Sequence, residues 1–240
     1  MVKYILERAH NGTRDEGRLC ISDMICIAFF YLLRPGEYTG VYTDDDPFEV
    51  MDVALHLDNK RLDLYQAPVA QILAATTASH TFTTQKNGRR GEVITHGRSG
   101  HGLCCPVRAT IRRVLHHRAK NSPLATPLAS HYNNKGKRVA VKPKDVTDIL
   151  RQTVAETTSQ TGLHPSEVSA RSMRAGGAMA LLCGNIDPNI IQMLGRWHSD
   201  SMMRYLHLQA RPIMKRFAQV MYNGGNYDFL PEETVPIANE

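Results

Sequence analysis

The sequence predicts a mainly α-helical domain with a small antiparallel β-sheet, an α+β fold. Three observations predict it. The run Ile25-Cys-Ile-Ala-Phe-Phe-Tyr-Leu-Leu33 is apolar around its circumference and is followed by Pro35 and Gly36, which reads as a helix at the centre of the core. Asn87-Gly88 separates two β-branched and aromatic stretches, Ser79 to Lys86 and Gly91 to His96, a strong hairpin signal. The last third, from Ser169 onward, is rich in Ala, Met and Leu and carries helix-start and helix-stop residues.

Taken in order, Ser22 is placed to cap a helix running to about Leu33, with Asp23 near its positive end. Pro35 and Gly36 terminate it, so Arg34 emerges at the end of a rigid buried element, a good place to hold a charged group still. The plainer alternative is an arginine that meets the last helix carbonyls and solvent. An acidic turn, Asp44-Asp-Asp-Pro47, precedes strand-like alternation from Phe48 to Leu57. The hairpin that follows puts Lys86 beside a tight turn carrying Arg89 and Arg90; an ordinary solvated turn would look the same.

Gly97 to Gly102 reads as a loop, and about Val107 to Ala119 as a basic amphipathic helix with Val107, Ile111, Val114 and Leu115 on one face. His116 and His117 are adjacent, point in different directions on a helix, and make a poor metal pair. Asn133 to Arg138 reads as an exposed polar turn, and Lys144 to about Gln160 as another amphipathic helix. Ser169 to Leu182 is a helix stopped near Gly184, in which Gly176 and Gly177 permit close backbone approach. Asp187-Pro188 starts a short helix that ends at Gly195. Ser199 can cap the next, which carries Tyr205, and the chain after Asn223-Gly-Gly225 turns acidic and extended.

The 240 residues suffice for one large domain or two small ones, and 42% hydrophobic content supports a sizeable core. A formal charge of +6 and a pI near 9.1 fit an anionic partner. Five cysteines (Cys20, Cys26, Cys104, Cys105 and Cys183) form an odd set without repeated spacing, which reads as packing thiols in a reducing compartment. The first ten residues lack a secretory apolar region, and Met24 to Leu33 is too short to span a bilayer. The expectation is a soluble intracellular protein with no membrane element, nuclear if eukaryotic and otherwise cytoplasmic.

Arg171 and Arg174 stand three apart and share a face if that stretch is helical. The positive end of a helix disfavours arginines, so the pair reads either as a phosphate site or as a solvated basic face. Widely spaced arginines followed by a helix-borne tyrosine suit phosphoryl transfer on nucleic acid without a metal: guanidinium groups clamp a phosphodiester, and a phenolate attacks phosphorus. Alone, Tyr205 reads equally well as a half-buried tyrosine of an amphipathic helix.

Taken together and in this order, these residues resemble the catalytic domain of tyrosine recombinases, the phage-integrase family, over about Leu19 to Arg211. Leu32-Leu-Arg34-Pro-Gly-Glu37-Tyr38 is similar to the first-arginine motif Arg-x-x-Glu at the end of an apolar helix. Lys86 sits before a hairpin turn, where the family keeps its catalytic lysine. Arg174-Ala-Gly-Gly-Ala178 resembles the second-arginine motif, and Leu194-Gly-Arg-Trp197 to Tyr205 the Leu-Gly motif and nucleophile, with an eleven-residue step from Leu194 to Tyr205. The Gly-Arg-Trp-x-Ser and Arg-Ala-Gly-Gly-Ala details look most like recombinases of eukaryotic mobile elements. Two departures stand out. The His-x-x-Arg pattern reads Arg171-x-x-Arg174, and arginine cannot accept a proton at neutral pH. The second His-or-Trp slot falls on Arg196 by counting and on Trp197 by chemistry, with His198 a third candidate.

The resemblance implies a tyrosine-recombinase-like catalytic domain over residues 19–222, with 1–18 as a lead-in or linker remnant and 223–240 as a tail. It implies that Arg34, Arg174 and Arg171 hold the scissile phosphate. Lys86 protonates the departing 5′-hydroxyl, Trp197 or Arg196 donates a further hydrogen bond, Glu37 orients an arginine, and Tyr205 forms a 3′-phosphotyrosyl link. Arg89 and Arg90 would touch DNA. The implied partners are double-stranded DNA and further copies of the chain, as a dimer or tetramer on DNA; no cofactor and no metal are called for. Family members carry a helical DNA-clamping domain ahead of the catalytic one, and only about twenty residues precede the first predicted helix, so a fragment or a weak grip on DNA is expected. The alternative is a catalytically impaired, domesticated DNA-binding protein. A type IB topoisomerase is disfavoured by chain length and motif detail, and a metal-dependent nuclease by the lack of ligand-like spacing.

Overall fold

The computed structural model describes residues 1–12, 15–39, 47–83, 91–197 and 202, with 160 and 161 described for their backbone only. Lys86, Arg89, Arg90, His198 and Tyr205 lie outside the described residues, as do Asp44 to Asp46, Asn87-Gly88, Ser199 and the tail 223–240. What is described is mainly α-helical with a small antiparallel sheet, as expected.

Two helices open the chain. Helix α1 (Val2–Gly12) buries Val2, Ile5, Leu6 and Ala9, a spacing that lines one helical face. Residues 1–18, expected as a lead-in, therefore supply a helix packed into the main core. Helix α2 (Glu16–Phe30) begins earlier than the sequence suggests, because Asp15 rather than Ser22 is its cap: the Asp15 carboxylate accepts from Gly17 N at 2.8 Å. Ser22 lies inside the helix, its hydroxyl donating to the Leu19 carbonyl at 2.8 Å. Asp23 serves no helix dipole; it is buried against Arg112 at 2.6 Å and His10 at 3.2 Å, tying α2 to α1 and α5. Cys20, Met24, Ile25, Cys26, Ile27 and Ala28 are fully buried, so α2 is the central element foreseen.

After α2 the chain turns sharply, with Leu32 at φ +51°, and restarts as the single turn α3 (Pro35–Tyr38), whose first residue is the pre-shaped Pro35. A 3-10 turn at Val50–Asp52 then leads into strand β1 (Val53–Leu57), shorter than the alternation from Phe48 suggested. Asp58 and Asn59, both at positive φ, turn it into β2 (Lys60–Arg61). After helix α4 (Val69–Ala74) come β3 (Thr77–Phe82) and β4 (Glu92–Gly97), paired from Thr77↔Gly97 to Phe82↔Glu92. The sheet order is β2-β1-β3-β4, antiparallel throughout.

Helix α5 (Pro106–Ala119) packs on both α2 and the sheet. The polar turn at Asn133 to Lys137 joins two short strands missed in the sequence, β5 (Ser130–Tyr132) and β6 (Arg138–Ala140). Helices α6 (Pro143–Thr161), α7 (Ser172–Cys183) and α8 (Pro188–Gly195) follow. Helix α8 starts as foreseen: the Asp187 carboxylate accepts from Asn189 N at 2.7 Å and Pro188 takes the first position. Helix α7 lies against α2 at Gly177, where an added Cβ would sit 2.2 Å from the Phe29 carbonyl oxygen. Gly176 is not needed for this, its nearest neighbour standing 3.7 Å away. Among the described residues no helix is long and apolar enough to cross a membrane.

Candidate active site

The end of α2 is where distant motifs meet. A helix ends with carbonyl oxygens that lack intrahelical partners and carry partial negative charge. Because Leu32 adopts a left-handed conformation, the carbonyls of Tyr31 and Leu32 are offered to side chains arriving from the C-terminal third. Arg174 Nη1 donates to Leu32 O at 2.7 Å, and Arg174 Nη2 donates to Gly195 O. Arg196 Nη1 donates to Tyr31 O and Leu194 O, both at 3.2 Å, and its Nη2 to Leu32 O at 3.4 Å. Two helix ends, those of α2 and α8, are thus held by two guanidinium groups.

Glu37 connects this cluster to Arg34. Its carboxylate is buried and accepts from the Arg34 backbone N at 2.7 Å, from Arg34 Nη1 at 3.2 Å and from Arg196 Nη2 at 3.0 Å. Two arginines therefore share one carboxylate. The Arg34 side chain retains 27% of its exposure while that of Arg196 retains 1%, so of this linked pair Arg34 is the one that an incoming anion can reach. Burial is the main effect lowering the Arg196 pKa from its ordinary value; Glu37 opposes the shift, Arg34 adds to it, and Glu92 opposes it. The guanidinium also lies over the Phe82 ring, 3.6 Å from its centroid, a stacking favourable to a planar cation.

Trp197 completes the group. Arg196 ends α8 in a left-handed conformation, φ 58° and ψ 42°, and the chain doubles back so that Trp197 N donates to Gln192 O at 3.0 Å. The indole ring then lies 4.1 Å from the Arg174 guanidinium carbon. The sequence left Arg196, Trp197 and His198 open for one slot. Arg196 turns its two Nη atoms to carbonyls and Glu37, Trp197 backs Arg174, and His198 lies outside the described residues.

Arg171 departs from expectation. Helix α7 begins at Ser172, between the two arginines, so Arg171 is exposed at the cap position while Arg174 is buried. They do not share an environment. Arg174 escapes the unfavourable positive end of its own helix by reaching the negative ends of two others. Tyr31 anchors the junction from below: its hydroxyl donates to Ala78 O at 2.7 Å, and its ring centroid lies 4.2 Å from that of the buried His80. Burial, with His96 nearby, pushes His80 down to about 3. Sequence reasoning missed Phe82, Tyr31 and the Leu32 carbonyl as parts of this site; position alone gave no signal for them. Among the described residues no cluster of three or more His, Cys, Asp or Glu could hold a metal ion.

No family model and no curated protein matches the chain. Among solved structures it is similar to the Tn1549 transposon integrase in complex with transposon right-end DNA, at 15% identity and a TM-score of 0.47, over 93% of this chain and 62% of that one. Two complexes of that integrase with circular-intermediate DNA give 14% and 13% identity and TM-scores of 0.42 and 0.46, over 89% and 91% of this chain. The chain spans 60% and 63% of those two.

Proposed function

We propose that this chain is the catalytic domain of a DNA strand-cleaving and rejoining enzyme of the tyrosine-recombinase type. The observation that carries the reading is the junction itself. Arg34, Arg174 and the Gly195-Arg196-Trp197 turn come from three separated motifs and are brought to one buried helix end. In this reading Arg34 and Arg174 hold the scissile phosphate, with Arg171 donating from the rim. The Tyr205 phenolate attacks phosphorus as the bond to the 5′-oxygen breaks, and Lys86 gives that oxygen a proton. The tyrosine proton leaves to solvent, because Arg171 cannot accept it. The phosphotyrosyl bond keeps the energy of the broken phosphodiester, so a second 5′-hydroxyl reverses the step on another strand. Double-stranded DNA is the substrate, two or four copies act together on it, and the protein works inside the cell, in the nucleus if its source is eukaryotic.

One observation favours a second reading, a DNA-binding protein that has lost catalysis. The slot usually held by histidine carries the exposed Arg171, and the described donors of Arg174 and Arg196 serve main-chain carbonyls and Glu37. The test is a nicked suicide DNA substrate containing a verified target site. The enzyme reading expects a covalent adduct that vanishes in Tyr205→Phe. Binding that weakens steeply with salt but yields no adduct selects the second reading, and absence of binding removes both.

A further inference from the structure

Arg196 falls by counting on a position expected to donate to the phosphate, yet its geometry is that of a part turned inward. Its side chain is 1% exposed. Its two Nη atoms reach Tyr31 O, Leu32 O, Leu194 O and Glu37 Oε2 between 3.0 and 3.4 Å, and its plane rests on Phe82. Beyond Leu194 in its own helix, those contacts belong to three different elements. Tyr31 and Leu32 end α2, Glu37 fixes Arg34, and Phe82 is the last paired residue of β3, four positions before Lys86. Backbone strain points the same way. A non-glycine residue in the left-handed region costs about 1 kcal/mol or more, and Arg196 and Leu32, which face each other here, both adopt it.

We infer that Arg196 is a positioning residue: through Glu37 it fixes the Arg34 guanidinium, and through Phe82 it registers the root of the β3–β4 hairpin against the end of α2, without touching substrate. The inference rests on the proposed function for its catalytic consequence, though not for its geometry. Only a guanidinium fits the role, because one flat group must lie over a ring and donate from two nitrogens to four acceptors; a lysine ammonium keeps the charge and loses that geometry. Glu37 would then hold Arg34 alone, with the α2 carbonyls left short of donors.

The experiment has two arms. In Arg196→Lys, the 15N–1H signal of the Arg34 side chain, assigned by comparison with Arg34→Lys, is expected to move from its wild-type position as the Glu37 carboxylate that it shares with Arg196 shifts. Adduct formation on the suicide substrate is expected to fall about 100-fold, the scale of a small misplacement of a reacting group. In Arg196→Met, where Glu37 keeps its ion pair with Arg34, the salt dependence of DNA binding should keep its wild-type slope, whereas Arg34→Ala lowers that slope by about one. A slope reduced by about one in Arg196→Met would show that Arg196 meets phosphate and would overturn the inference. An unmoved Arg34 signal in Arg196→Lys, or a wild-type adduct rate there, overturns it equally. If wild-type protein forms no adduct, the strand-cleavage reading falls, and the Arg34 signal by itself decides the positioning role.

Discussion

Helix α2 is secured differently at its two ends. At the N-terminus the carboxylate of Asp15 satisfies the amide of Gly17, two residues away, and the cap stays at the surface. At the C-terminus the carbonyls of Tyr31 and Leu32 are satisfied by Arg174 and Arg196, more than 140 residues along the chain, and the groups are buried. A local cap stabilises a helix and little else. A remote cap also fixes where α7 and α8 lie relative to α2, so the same hydrogen bonds that finish the helix assemble the candidate site. Losing the first should soften one helix end; losing the second should damage stability and site together.

The largest expected effect tests the remote end directly. Arg174→Ala removes the nearer of the two described donors to Leu32 O, the Arg174 donor to Gly195 O and the cation beside Trp197, and should cost about 4 kcal/mol by urea denaturation. A loss below about 1 kcal/mol, no more than a surface cap is worth, would erase the distinction between the two ends. Next comes Gly177→Ala. Its Cβ would meet the Phe29 carbonyl at 2.2 Å and Leu32 Cδ2 at 2.4 Å, so α7 must move off α2 at a cost of about 3 kcal/mol. Thermal melting measures the cost, and Gly176→Ala, with ordinary van der Waals room, serves as its control.

Acid should also strike the C-terminal end. His80, whose ring lies tilted against Tyr31, is held neutral down to about 3, whereas in the unfolded chain it takes a proton near 6.5. The stability it contributes is therefore complete above pH 6.5 and drains away as the pH falls towards 3. The slope is about 1.4 kcal/mol per unit, hence about 2 kcal/mol between pH 6.5 and 5. Burial lowers His116 and His117 as well, each to about 4, so they steepen the same decline. Denaturation curves at several pH values should show the slope reduced in His80→Phe, which keeps the ring against Tyr31. The smallest effect belongs to the local end. Asp15→Ala should cost about 1 kcal/mol and leave DNA binding and its salt dependence unchanged.

How much was legible follows from the same contrast. The buried run of α2, the pairing of β3 with β4, helix α5, helix α6 and the Asp187-Pro188 start of α8 are all announced by residue patterns that are local in the sequence, and the sequence carries those signals openly. Ser22 misled because a good capping residue inside a helix looks like a helix start; the hydroxyl's bond to Leu19 O resolves it. Strands β5 and β6 have three residues each, too few for alternation to show. In the candidate site, motif order and residue type pointed to Arg34, Glu37, Arg174 and Trp197. The division of labour among them was hidden, because a guanidinium reads identically in sequence whether it faces a phosphate, a carboxylate or a carbonyl.

By itself, the sequence determined the fold class, a buried central helix, which ends at Phe30 rather than near Leu33 and leaves Arg34 to open the next turn, and the residue types gathered at the candidate site. These are consequences of short-range periodicity and of breakers that act on their neighbours. Only the tertiary structure decided that Arg174 and Arg196 cap the end of α2, that Glu37 joins Arg34 to Arg196, and that Arg171 stays at the surface. The physical reason is that helix ends leave unpaired carbonyls, and burying them makes a hydrogen-bond partner obligatory without specifying which residue supplies it. Packing, through Gly177 and the left-handed turns at Leu32 and Arg196, made that choice.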